Sequence, residues 1–132
     1  MLEGILRSAD ALLRAPADDL DVLLRGTAAS AGRATGPARV VRDTSEFARV
    51  RPGDVLVCPA TTPAWTLLFA RVAAIVTDTS SPSSHASIVA REYGIPAVVG
   101  TGDATARVRD GQLLTVDGAA GTVALGTGVG SA

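Results

Sequence analysis

The stretch Thr77-Asp78-Thr79-Ser80-Ser81-Pro82-Ser83-Ser84-His85-Ala86-Ser87-Ile88-Val89-Ala90-Arg91-Glu92-Tyr93-Gly94-Ile95-Pro96-Ala97-Val98-Val99-Gly100 decides the architecture. Just before it, Ala73 to Val76 is a short apolar run that reads as a buried strand ending at Thr77-Asp78. Ser80 to Ser84 is polar and holds a proline, so it reads as a loop. His85 to Tyr93 then carries helical periodicity, and Gly94 is a natural left-handed terminator. Ile95 to Val99 is apolar again, with Pro96 suited to an edge strand or to the first position of a strand. Strands and helices alternate, which predicts a mixed α/β domain.

Moving upstream, Pro63 suits the first turn of a helix carrying Trp65, Leu67 and Leu68, capped by Thr61 or Thr62. Val55 to Cys58 reads as a short buried strand behind the turn Pro52-Gly53-Asp54, and Asp43-Thr44-Ser45 has helix-start chemistry. Thr27 to Pro37 is a run of small residues leading into a strand at Val40 and Val41, and Val22 to Leu24 begins an apolar stretch. Downstream, the turns Asp110-Gly111 and Asp117-Gly118 flank Leu113 to Val116, and Thr122 to Leu125 completes a strand pair. At the ends, Leu2, Ile5, Ala9, Leu12 and Leu13 fall on one helical face that Pro16 closes, and the small residues from Gly126 read as a frayed tail. The expected division is a helical lead-in over 1–20, one domain over 21–126 and a flexible tail over 127–132.

Composition removes several functions. With 132 residues, 47% hydrophobic and 19% charged, the chain can bury a core and is not disordered. Its net charge of -1 argues against a sequence-blind nucleic-acid binder, which needs a basic surplus. Every cationic side chain is Arg, so lysine Schiff-base chemistry and a lysine-bearing phosphate loop are excluded. The single cysteine makes no internal disulfide, and no Cys/His cluster offers a zinc site. Trp65 to Val76, broken by Arg71, is too short for a membrane span, and the first residues lack a signal-peptide core. A cytoplasmic protein without membrane or nucleic-acid partners is expected.

His85 is the sole histidine, and it opens a helix. First-turn amides lack intrahelical partners and, with the helix dipole, form a natural anion site. Ser83 and Ser84 add hydroxyls; Ser83 is expected to cap the helix and to leave the imidazole accessible to solvent. An ordinary imidazole titrates at about 6.5, so most of it is neutral and nucleophilic at neutral pH. A nucleophilic nitrogen beside a phosphate cradle suits reversible phosphorylation of the ring.

The quoted run, continued by Thr101-Gly102-Asp103-Ala104-Thr105 and Val116-Asp117-Gly118, strongly resembles the swivelling phosphohistidine domain of the phosphoenolpyruvate-utilising enzymes. Pro52-Gly53-Asp54-Val55-Leu56-Val57 and Thr62-Pro63-Ala64-Trp65-Thr66 extend the similarity, which covers roughly Val22 to Leu125. The resemblance implies a β/β/α fold and a phosphoryl group carried on His85, with Ser83 and Ser84 as phosphate-binding residues. It also implies loop contacts from Thr79, Ser80 and Ser81. Phosphoryl transfer would run between a nucleotide-binding (ATP-grasp-like) module and an acceptor module. ATP or phosphoenolpyruvate and Mg²⁺ are expected on those partners, with no cofactor or metal held here. One position departs from the family, which usually has Gly-Gly where this chain has Ser80-Ser81. That departure supports an alternative, a degenerate domain acting only in docking or regulation.

Other residues read as structural. Cys58 ends an apolar strand and reads as a small buried hydrophobe. Trp65 reads as a packing or docking residue, Arg91 and Glu92 as partner contacts or a solvated helix end, and Asp103, Asp110 and Asp117 as too scattered for a metal site.

Overall fold

A computed structural model describes residues 22–79 and 84–126. Eight strands, β1 (Val22–Arg25), β2 (Thr27–Ser30), β3 (Arg33–Val40), β4 (Val55–Cys58), β5 (Ala74–Thr77), β6 (Ala97–Val99), β7 (Leu113–Asp117) and β8 (Thr122–Leu125), join in the order β1-β8-β7-β3-β4-β5-β6-β2. Short helices α1 (Thr66–Phe69), α2 (His85–Tyr93) and α3 (Ala104–Arg107) lie between them. Single 3-10 segments span Thr44–Arg49 and Pro63–Trp65.

Strand β3 belongs to two sheets. Its first half, Arg33 to Pro37, runs antiparallel to β7, and Ala38 to Val40 run parallel to β4. The switch comes at Pro37, which has no N–H to give to a ladder. On one side the sheet is antiparallel (β1, β8, β7); on the other β4, β5 and β6 are parallel and β2 closes the edge antiparallel.

Because successive strand side chains point to opposite faces, the parallel strands feed two cores. Leu56, Cys58, Ile75, Ala97 and Val99 face α1 and α2, where they meet Trp65, Leu68, Phe69, Ala86 and Ala90. Val55, Val57, Ala74, Val76 and Val98 face the antiparallel strands and meet Leu114, Val116 and Val123. The layers are therefore sheet, sheet and helices, the β/β/α fold. Side chains such as Leu56 and Phe69 are almost wholly buried, each contributing about 1.5–3 kcal/mol.

Several local expectations change. Thr27 to Pro37 is not a lead-in but two strands, since its alanines and glycine allow close backbone approach without bulky signals. β6 is an interior strand between β5 and β2, and Pro96 precedes its first residue. The lead-in helix over 1–20 and the tail over 127–132 lie outside the described residues.

Candidate functional site

The parallel strands β4 and β5 end side by side, with Cys58 paired to Thr77. Ligands in open α/β sheets gather beyond such carboxyl ends. The segment after β4 is tied to the segment after β5 at this rim. Thr79 donates both its N–H and its hydroxyl to the Pro59 carbonyl, at 3.0 and 3.1 Å, and Thr77 Oγ1 donates to the Thr79 carbonyl at 2.6 Å. Asp78 accepts from the Thr105 amide at 2.9 Å and the Thr105 hydroxyl at 2.6 Å, fixing α3 to the same rim.

Helix α2 begins on this platform. Its cap is Ser84, whose Oγ accepts from the Ser87 amide at 3.4 Å and lies 3.2 Å from the Ser87 hydroxyl. Ser83 was the expected cap. The helix starts at His85 itself, so the preceding extended residue takes the cap, and Ser83, like Ser80 and Ser81, lies outside the described residues.

His85, half-buried, presents its ring at this helix start. Thr61 Oγ1 lies 2.9 Å from Nδ1, and Thr66 Oγ1 lies 3.3 Å from Nε2. Phe69 meets the ring edge-on, with centroids 6.0 Å apart at 79°. Two hydroxyls and one aromatic ring thus surround the half-buried imidazole. Neither threonine was singled out in the sequence as a partner of His85. Thr62, not Thr61, holds the capping position before Pro63, and its side chain makes no cap bond. The Thr61 hydroxyl is turned to the histidine instead.

The remaining candidates are structural. Cys58 is fully buried, and burial, reinforced by the Asp78 charge, pushes its thiol up far beyond the ordinary range. Trp65 packs against Phe47 in a T-shaped pair at 5.0 Å. Arg91 donates from Nε to the Ala29 carbonyl at 2.8 Å, which ties α2 to β2. Asp110 accepts from the Val40 amide and pairs with Arg49, Asp117 pairs with Arg33 and closes its own turn, and Asp103 precedes α3. Asp78, at the base of the loop to His85, accepts from Thr105 with both of its oxygens. No helix among the described residues is long and apolar enough to cross a membrane.

Residues 50–121 match the family described as PEP-utilising enzyme, mobile domain. The chain belongs to that family. An uncharacterized phosphotransferase of Bacillus subtilis, YvkC, is 59% identical over 98 residues, covering 74% of this chain and 12% of its own length. The phosphoenolpyruvate synthase of Aeropyrum pernix is 50% identical over 107 residues, covering 80% of this chain and 13% of its own. Among solved structures, Enzyme I (nEIt) shares 37% identity with a TM-score of 0.50, over 56% of this chain and 31% of that one. The mobile domain is thus a small part of the relatives it matches.

Proposed function

We propose that this mobile domain is a phosphohistidine carrier, a phosphotransferase component that relays a phosphoryl group through His85. The observation that carries the reading is the placement of His85: an accessible ring, gripped at both nitrogens, on the first residue of a capped helix at the carboxyl ends of parallel strands. The start of helix α2 suits phosphoryl oxygens, as helix starts generally do. Membership of a family whose relatives include a phosphoenolpyruvate synthase and a phosphotransferase supports the same chemistry. ATP or phosphoenolpyruvate, with Mg²⁺, would sit on a nucleotide-binding module, and the acceptor on another. The chain alone is then one station of a transferase, working where those modules work, in the cytoplasm.

In the transfer, a lone pair on the ring attacks phosphorus, an N–P bond forms, and the P–O bond of the donor breaks with its electron pair leaving on oxygen. The spread charge of the transferring group is met by positioned donors. Ser83 and Ser84 are the hydroxyl candidates from this chain, with Thr79, Ser80 and Ser81 for the loop.

The test is intact mass after incubation with the ATP-dependent partner module and Mg²⁺. One acid-labile, base-stable phosphoryl group is expected on the chain, and none on His85→Ala. A wild-type chain left unmodified by a partner active on another carrier would overturn the reading. If the double variant Ser80→Gly with Ser81→Gly is then labelled, the Ser80-Ser81 departure marks a docking module instead.

A further inference from the structure

We propose that the cavity between β1 and α3 is a phosphate-binding site, held by Arg25 and Arg107, that takes inorganic phosphate or a small phosphate monoester. It goes beyond the carrier reading and does not depend on it. Val22 to Arg25 of β1, Thr101 after β6 and Arg107 of α3 line a cavity of about 340 Å³. Leu24 of β1 and Ala104 of α3 belong to the core between the two sheets, whereas Ala86 and Ala90 of α2 belong to the core beneath the helices. The cavity and the helix of His85 therefore stand on opposite faces of the parallel strands.

The charge at this cavity is uncompensated. Arg33, Arg39 and Arg49 pair with carboxylates. Arg25 and Arg107 have no carboxylate partner among the described residues, and no acidic side chain is among the described residues that line the cavity. Thr101 contributes a wall and not a donor, because its hydroxyl and its amide both go to the Thr77 carbonyl, at 2.9 and 3.1 Å. Binding falls to the two guanidiniums. The backbone beneath each is anchored. Gly26, directly after Arg25, donates to the Gly121 carbonyl at 2.9 Å, and Thr105 fastens α3 to Asp78 through its amide and its hydroxyl. A guanidinium fork matches a pair of oxyanion oxygens. Two forks on one cavity match a dianion with several free oxygens, which a phosphate group is at neutral pH. Val22 and Leu23, both partly buried, offer apolar surface to a short carbon body.

The test is a titration of the isotope-labelled whole chain at about pH 7.5, followed by NMR of the backbone amides and the arginine Nε–H groups. Inorganic phosphate and glycerol 2-phosphate are each compared with sodium chloride at equal ionic strength. Saturable shifts are expected at Leu24, Arg25, Thr101 and Arg107, with half-saturation in the millimolar range. Arg25→Gln and Arg107→Gln should each weaken that binding roughly ten-fold or more, through loss of a charged donor. Tighter binding of the ester assigns the apolar wall to its carbon body; equal binding makes free phosphate the ligand. Shifts that sodium chloride reproduces, or that never saturate, overturn the site. So does a folded variant of either arginine that binds as the wild type does. Should a variant not fold, the map of shifts on the wild-type chain decides. Saturable shifts confined to the start of α2 would uphold a phosphate cradle at His85 and remove the Arg25–Arg107 site; shifts at the two arginines in a chain that accepts no phosphoryl group would do the reverse.

Discussion

A thiol with no water around it stays a thiol. Cys58 ends β4 inside the core beneath the helices, and its lost hydration outweighs every other influence on its ionisation. The thiolate is the reactive form, so iodoacetamide should leave the native chain unmodified at pH 8 and react only as denaturant unfolds it. Rapid native alkylation would contradict the packing. The pH dependence follows from the raised value. An unfolded thiol loses its proton at about pH 8.5, whereas the folded one keeps it. Ionisation therefore favours the unfolded chain, and stability should fall as pH rises above that point. Cys58→Ala should lose this part of the alkaline slope while lowering stability at neutral pH, which urea melts at several pH values would read.

Helix α2 shows what an element inherits from its two ends. Ser84 closes the first turn, and Gly94 closes the last with φ of +70°, its amide donating to the carbonyls of Ala90 and Arg91. A Cβ at Gly94 would touch nothing within 4 Å, so only backbone strain opposes Ala there. That left-handed conformation costs an L-residue about 1–2 kcal/mol, and Gly94→Ala should lower stability by that amount in chemical melts, with Gly94→Asn costing less. The same helix shows which parts of the molecule the sequence discloses. Its span, its terminating glycine and its histidine could be read directly, because caps and periodicity are local. The cap could be mistaken by one residue, since three of the four residues Ser81 to Ser84 are serines. Thr61 and Thr66 were invisible as partners of His85, because those contacts join positions 24 and 19 residues apart through the end of a strand. Strand β2 and helix α3 were hidden for another reason: Thr27–Ser30 and Ala104–Arg107 are rich in small residues, which carry little periodic signal.

At the scale of the whole molecule, the two sheets are brought together where side chains are smallest. The turn between β7 and β8 lies against the end of β2, and Gly118 donates its amide to the Gly32 carbonyl at 2.7 Å. A Cβ at Gly118 would stand 1.7 Å from the Ser30 carbonyl oxygen. The obstructing atoms are backbone, so Gly118→Ala should cost about 3 kcal/mol, the upper end of the usual overpacking range. In paired chemical melts it should lose clearly more stability than Gly94→Ala; equal losses would refute the close contact. The first and last strands tell a different story. Val22 lies opposite Ala124 in the β1–β8 ladder, and the two strands run antiparallel, so the first begins where the last finishes. The domain is closed on itself like a loop with a narrow neck. Such a shape is a cassette: it can be spliced into a longer host at a single surface point without prising the host apart, as domains with neighbouring ends generally can. The order of its strands is then a matter of connection more than of packing. A circular permutant that joins β8 to β1 by a short Gly-Ser bridge, with new ends opened at the exposed Asp110-Gly111 turn, should fold with an unchanged circular dichroism spectrum and a cooperative urea melt. A permutant that fails to fold, while the same bridge is tolerated uncut, would place essential order in the Asp110-Gly111 turn.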